Sequence, residues 1–365
     1  MRYCTKCVMP DTKPDLFFNE QGVCDACLSA EFKNKVDWHQ REQEFRALVQ
    51  EIKALNRPYD CIVPVSGGKD SHYQVYKALE YGLKVLAVTF QPTLQTDLGR
   101  HNLQNLISLG VDHLLITPNP AVYKAMGYEG FKRVGDHEWP NHLGIFTTPI
   151  RVAVEKRVPL ILWGENSQLE YGGPEEARKK QNLDRRWLEE FGGLLGMRPA
   201  DVVGVEGINQ EDLLPYIYPT AEELEGIRGV FLGYYFKWDA RQQVEVIKRV
   251  GFQTKGSPVE GTYTDYENLD DAIVSVHDYL KYVKFGFGRA TDHACIDIRN
   301  GRLTREEAID LVRLYDGNLS SHTVGLFCHH YDISEDEFWA VIRDFTNKDL
   351  FDLVDGKPQI KWLVS

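Results

Sequence analysis

The sequence predicts an α/β protein built on a doubly wound parallel sheet, with an N-terminal zinc-ribbon-like module and a helical C-terminal region. Three observations predict it. Short β-rich runs alternate with helix-like stretches through the middle of the chain, four cysteines form two Cys-x-x-Cys pairs within the first 27 residues, and beyond about residue 237 the pattern is mostly helical. The 365 residues accommodate one large domain with small appendages.

Residues 1–36 are rich in Cys, Pro, Asp and Gly and too short for a core of their own, so a metal must hold them together. Cys4-x-x-Cys7 and Cys24-x-x-Cys27 supply four thiolates in two turn-like pairs, the donor set of a closed structural zinc site with no position left for substrate. Cys61, Cys295 and Cys328 are isolated in sequence. Seven cysteines in this distribution fit metal binding in a reducing compartment better than a disulfide framework. Residues 37–57 form a linking helix, with Trp38, Phe45, Leu48, Val49, Ile52 and Leu55 at near-helical spacing, ended by Pro58.

Residues 58–260 carry the sheet domain. Strands are predicted at Cys61–Val65, Lys84–Phe90, His113–Thr117 and Pro159–Trp163, with Val230–Phe236 as a fifth. Helices are predicted near Ser71–Tyr81, Arg100–Leu109 and Thr148–Lys156. Ligands of such folds bind at the carboxyl ends of the strands. Residues 261–365 are expected to be mainly helical and to pack on the sheet domain, with capping boxes at Thr304/Glu307 and Ser334/Glu337.

The chemistry-bearing motif follows the first strand directly: Ser66-Gly67-Gly68-Lys69-Asp70-Ser71. Two glycines let the backbone approach a phosphate, and the N-terminus of the next helix aims free N–H groups at the anion. Lys69 would add positive charge and Asp70 would hold magnesium on a pyrophosphate. The spacing is not that of a Walker A loop, which disfavours γ-phosphate transfer. A Gly-Gly turn between strand and helix also occurs without any ligand.

Placed after a strand in a parallel α/β pattern, SGGKDS resembles the signature of the PP-loop ATP pyrophosphatases, whose fold is of the adenine nucleotide alpha hydrolase type. Five further segments, Thr96–Asn105, Glu138–Thr147, Trp163–Gly173, Gly233–Asp239 and Lys284–Asp292, resemble the N-acetyl sugar amidotransferases, as do the N-terminal cysteine pairs. These are enzymes of bacterial surface-polysaccharide (lipopolysaccharide O-antigen) and nonulosonic-acid pathways. The resemblance implies use of ATP and Mg2+ to adenylylate an acetamide oxygen, attack by ammonia, and release of AMP and an acetamidino sugar. An N-acetylated sugar nucleotide or a nonulosonic acid would be the substrate. A glutaminase subunit and a barrel-type synthase subunit would deliver the ammonia, since position 2 is Arg and Cys4 is committed to the metal pair.

On this reading Ser66, Gly67, Gly68, Lys69, Asp70 and Ser71 bind the nucleotide, with Thr89 and Phe90 near the base and Gly164, Glu165 and Asn166 at a strand end where ligands bind. Arg289, in a Gly-x-Gly-Arg setting, either contacts pyrophosphate or pairs with Asp292 or another acid. Lys284 is a weaker phosphate candidate, and Glu170 and Tyr171 would meet the sugar or form turn packing. Asp70, Lys69, Arg289 and His142 are the catalytic candidates, while Trp139-Pro140 and His142 would equally serve to shape a loop. The rival reading is a PP-loop tRNA thiolase. A net charge of -12 disfavours a broad nucleic-acid footprint, and no Cys-x-x-Cys occurs in the sheet domain. No apolar span of membrane length is present, and a cytoplasmic location is expected.

Overall fold

The computed structural model describes residues 1–91, 94–165, 170, 194–362 and 364. Its centre is a five-stranded parallel sheet of β1 (Cys61–Pro64), β2 (Val85–Phe90), β3 (Asp112–Ile116), β4 (Leu160–Trp163) and β5 (Arg228–Phe231), in the order β3-β2-β1-β4-β5. The chain winds outward from β1 to β3, then returns to the other side of β1. This leaves a crevice at the carboxyl ends of β1 and β4, where such sheets bind ligands.

Both faces of the sheet are covered. Cys61, Val63, Val85, Ala87, Leu160 and Leu162 enter one apolar cluster, whereas Ile62, Leu86, Val88 and Ile161 enter another with Ile150 and Ala153. Alternate side chains of a strand point to opposite faces, so strands buried on both read as continuous apolar runs.

Among the described residues, the α-helices before the sheet's last strand include α1 (Asp25–Lys33), α2 (Trp38–Ala54), α3 (Lys69–Glu80), α4 (Asp97–Ile107), α5 (Pro120–Val134) and α6 (Trp139–Lys156). α2 is capped by Asp37, which accepts from Gln40 N, and buries Phe45, Leu48, Val49 and Ile52. Two predicted boundaries need correction. α4 begins at Asp97 rather than Arg100 because the Thr96 hydroxyl accepts from Gly99 N at 2.9 Å. α6 begins at Trp139 rather than Thr148, so Trp139, Pro140 and His142 belong to its first turn and not to a loop. Proline is well placed in a first turn, where its missing N–H is not needed. α5, which Asn119 caps and Pro120 opens, is an additional helix not among those predicted.

The fifth strand ends at Phe231, and Leu232–Tyr235 turn at once into α7 instead of extending to Phe236. Gly233 N reaches Gly164 O at 3.0 Å there, tying the end of β5 to that of β4. Beyond it follow α8 (Ala240–Lys248), α9 (Val274–Phe285), α10 (Arg289–Arg299), α11 (Arg305–Tyr315), α12 (Ser321–Tyr331) and α13 (Glu335–Phe345). Both expected capping boxes are formed, at Thr304/Glu307 and Ser334/Glu337. The region is not wholly helical: β6 (Phe351–Val354) and β7 (Lys357–Ile360) make an antiparallel hairpin. Its two turn residues, Asp355 and Gly356, both have positive φ, the geometry that favours Asp-Gly.

Two contacts set the site. Phe131 of α5 shares a core with Val276, Leu280, Phe327 and Phe338, which holds α9 over the sheet's crevice. The cysteine pairs, with Val8 and Met9, share another core with Phe287, Ala294, Cys295 and Ala308. Thr12 Oγ1 donates to Phe285 O at 2.5 Å and Arg305 Nε to Cys7 O at 3.3 Å, so the N-terminal module is fastened to α9, α10 and α11. Among the described residues no helix is long and apolar enough to cross a membrane.

Candidate active site

The loop after β1 turns sharply into α3. Gly67 has φ +94°, and a Cβ there would meet Leu103 N at 2.8 Å and Gly99 O at 3.0 Å, so α4 is packed directly on a position that needs glycine. Gly67 N donates to Ser71 Oγ at 3.2 Å and Gly68 N to Ser66 Oγ at 3.3 Å, which fixes the loop's shape. Gly68 is the N-cap of α3, and no side chain caps that end. A helix N-terminus left open in this way is suited to an anion.

Ser66, Asp70 and Ser71 line a cavity of about 760 Å³ between the sheet's crevice and α9 and α10. Lys13, His142, Gly164, Glu165, Lys281, Lys284 and Arg289 also reach it. Phe90, Phe146, Trp163 and Phe231 give it an apolar end. A volume of this order with an aromatic end and a charged end is the usual character of a small-molecule site. Trp163 Nε1 is buried with no hydrogen-bond partner, as is Asp70 Oδ1.

Two carboxylates stand close to the loop, Asp70 and Glu165. Glu165 is pushed up to about 8, by burial and then by the charge of Asp70. Asp70 Oδ2 accepts from Lys69 Nζ at 2.5 Å, leaving Oδ1 unmatched. An orphaned carboxylate oxygen beside a second carboxylate that resists ionisation is a fitting pair of donors for Mg2+, which takes oxygen ligands.

The raised Glu165 carries a stability prediction. The folded chain keeps a proton there that the unfolded chain releases, so the ligand-free protein should lose stability as pH rises from the ordinary carboxylate range through about 8. The slope from one such group is at most roughly 1.4 kcal/mol per pH unit. Thermal melts across that range should show the slope reduced in Glu165→Gln, and reduced by Mg2+ in the wild type. An identical slope in the variant would remove Glu165 as its source.

Several candidates sit differently from their expected roles. Lys69 is buried between Asp70 and Glu267, the latter 3.1 Å away, and its head does not line the cavity. Burial works against its charge, but Asp70, Glu267 and Glu165 outweigh it and hold its pKa above the usual lysine value. Thr89 is fully buried on the opposite face of β2 from Phe90 and bonds His113 Nε2 at 2.8 Å, away from the cavity. Period-two alternation sends the side chains of adjacent strand residues to opposite faces of the sheet. Phe90 does line it, packed so closely on α6 that a Cβ at Gly144 would lie 2.2 Å from the ring.

Arg289 lines the cavity, but both sides of its fork engage Asp278, at 2.7 and 2.8 Å, while Asp292 pairs with Lys281 at 2.5 Å. Burial would raise Asp278, yet the Arg289 charge holds it at about 2. Lys284 donates to Val134 O and Gly135 O. Glu170 meets Lys33 of α1 at 2.5 Å, outside the cavity. Asn166 and Tyr171 lie outside the described residues.

Sequence reasoning missed Lys13, Asp136, His277, Lys281 and His293, all of which reach the cavity. His277, Lys281 and Lys284 stand at i, i+4 and i+7 on α9, and Arg289, Asp292 and His293 at i, i+3 and i+4 on α10. Polar residues repeating at helical spacing beside the apolar stripe Val276, Leu280 and Val283 were the available signal.

The four N-terminal thiols are buried together. Cys4 and Cys27 Sγ are 3.9 Å apart and Cys7 and Cys24 Sγ 3.7 Å. Four sulfurs at about 2.3 Å around a tetrahedral zinc stand about 3.8 Å from one another, so this arrangement fits that ion. Lys6 N, Cys7 N and Cys24 N approach Cys4 Sγ at 3.3–3.5 Å, and Arg299 Nη2 is 4.0 Å from Cys7 Sγ, which offsets thiolate charge. Cys295 is packed against this group, whereas Cys61 and Cys328 lie in two other cores.

Residues 260–363 match a family described as LPS biosynthesis protein WbpG-like, C-terminal domain. This is the region that contributes His277, Lys281, Lys284 and Arg289 to the cavity. No curated protein matches the chain. Among solved structures the chain is similar to that of NMN synthetase from Francisella tularensis, with 13% identity over 79% of this chain and 96% of that one and a TM-score of 0.37.

Proposed function

We propose that this chain is an ATP-dependent, AMP-forming sugar amidotransferase that converts an acetamido group to an acetamidino group in lipopolysaccharide O-antigen or nonulosonic-acid biosynthesis. The observation that carries the reading is the SGGKDS loop opening α3 into a large cavity, with Asp70 Oδ1 buried there and unpartnered. The match of residues 260–363 to a lipopolysaccharide-biosynthesis domain family supports the pathway.

The acetamide oxygen attacks the α-phosphorus of ATP, pyrophosphate leaves, and an O-adenylyl imidate forms once the amide nitrogen gives up its proton. Ammonia adds to the imidate carbon, and the C–O bond then breaks to release AMP and the amidine. Amide oxygen is a poor leaving group and adenylate a good one, so the protein's task is to position the reactants and neutralise charge. The α3 N-terminus and the Ser66 and Ser71 hydroxyls hold phosphate oxygens. Asp70 and Glu165 would hold Mg2+, which would supply positive charge to the phosphates when bound. Phe90, Phe146 and Trp163 receive the base. Lys281, Lys284 and Arg289 supply positive charge to the same cavity, with Asp278 orienting the guanidinium. Zinc on Cys4, Cys7, Cys24 and Cys27 is structural, and ammonia comes from a glutaminase partner through a barrel-type subunit.

The tRNA thiolase alternative needs a thiol at the reacting centre. Among the described residues no cysteine lines the cavity.

The test is incubation with ATP, Mg2+, ammonium and an N-acetylated nucleotide sugar or nonulosonic acid. AMP should appear together with a product in which NH replaces O by mass. Release of ADP would sink the α-phosphate mechanism, and AMP formation that requires tRNA would sink the sugar reading.

A further inference from the structure

In the cavity that the Ser66–Ser71 loop enters, three further residues from separate segments converge. Asp136 follows Gly135 at the end of α5, His142 lies in the first turn of α6, and His277 in the first turn of α9. Asp136 Oδ1 is 2.8 Å from His277 Nδ1, Asp136 Oδ2 is 3.4 Å from His142 Nδ1, and all three donor atoms lie within 4.8 Å of one another. The two imidazole rings have their centroids 5.3 Å apart. All three side chains line the same cavity.

We propose that Asp136, His142 and His277 bind a divalent transition metal of the zinc, iron or manganese class, with coordination positions open to the cavity. Ligand atoms about 2.0–2.1 Å from a common ion stand about 3.0–3.4 Å apart; the two nitrogens lie 2.8 and 3.4 Å from the carboxylate, one from each of its oxygens, and one donor from each residue falls within 4.8 Å of the others. A hydrogen-bonded Asp–His–His cluster would account for His277, but not for His142. The His142 Nδ1 atom is buried and makes no hydrogen bond, although a carboxylate oxygen stands 3.4 Å away. A metal satisfies that nitrogen together with the other two donors.

Two imidazoles and one carboxylate select such ions over Mg2+, which prefers oxygen. The single negative charge leaves the bound ion net positive, so it keeps Lewis acidity for an oxygen or nitrogen donor of a substrate. Asp136 is itself held in place, because its Oδ1 also accepts from Glu138 N at 2.9 Å. This site is separate from the four thiols, and the proposal does not depend on the sugar reaction.

The experiment is metal stoichiometry on untagged full-length protein, loaded with Zn2+ and desalted. Two equivalents per chain are expected in the wild type, one in the thiolate site and one here. Asp136→Asn and His277→Ala should each retain one. Loading with Co2+ tells the sites apart, since thiolate coordination gives intense charge-transfer absorption that an N/O site lacks. That absorption should persist in both variants, which also reports that the N-terminal module is folded. One equivalent in the wild type, or two in both variants, overturns the proposal. Should a variant lose both ions through misfolding, the wild-type stoichiometry decides.

Discussion

Asp70→Ala should lower AMP formation from ATP by about a thousandfold, the scale on which preorganised charge at a reacting centre acts, while leaving metal on the four N-terminal thiols. The expectation rests on one atom. Asp70 Oδ1 is buried without a partner, although its sister oxygen is held by Lys69. A protein that leaves a carboxylate oxygen unmatched gives up stability unless a ligand completes it. Removal of Asp70 relieves that frustration, so the variant should fold at least as well as the wild type. Lys69 retains Glu267 at 3.1 Å, which limits the charge left exposed by the change. Loss should therefore fall on kcat and on Mg2+ dependence rather than on the melting temperature. A less than tenfold decrease in AMP formation would show that Asp70 does not act on the phosphates. Loss of zinc would show instead that the loop and the cysteine module are mechanically linked.

How much of this was legible in the sequence varied by kind of information. Cys61–Pro64 and Val85–Phe90 are buried on both faces and read as apolar runs, so the sheet was accessible from pattern alone. Asp112–Ile116 is an edge strand with Leu115 half-exposed, yet its apolar pair Leu114 and Leu115 was enough. The Ser66–Ser71 loop was legible as a motif because its six residues are consecutive and follow β1 directly. The part of the cavity lined by Asp136, His142, His277 and Arg289 was not. His277 meets Asp136 across 141 positions, and nothing in either neighbourhood names the other. Arg289 could be seen as a candidate from its glycines, but its true partner, Asp278, lies in the preceding helix 11 residues earlier. The start of α6 was lost for a local reason: a Trp-Pro-Asn run suggests a loop, and only its packing shows that proline opens the helix.

Cys24→Ser should have the widest consequences of any single change, lowering the melting temperature by roughly 10 °C or more and suppressing AMP formation together. A structural zinc site contributes about 10–16 kcal/mol to the folding of a segment that lacks its own core. Here that segment is not an isolated appendage. Its cysteines share one apolar cluster with Phe287, Ala294 and Cys295, which flank or belong to the helix that opens with Arg289. Thr12 grips Phe285 O, and Lys13 beside it reaches the cavity. Freeing residues 1–36 would therefore uncover the back of α10 and withdraw a lysine from the cavity wall in one event. Cys295→Ala is the control that separates metal from packing. Cys295 lies against the thiols without completing either pair, so this variant should keep its zinc and most of its activity at a modest cavity cost of about 1 kcal/mol. If Cys24→Ser loses zinc but retains wild-type AMP formation, the module is dispensable to the site, and the position of Lys13 has no bearing on catalysis. If Cys295→Ala also loses zinc, the ligand set itself has been misassigned.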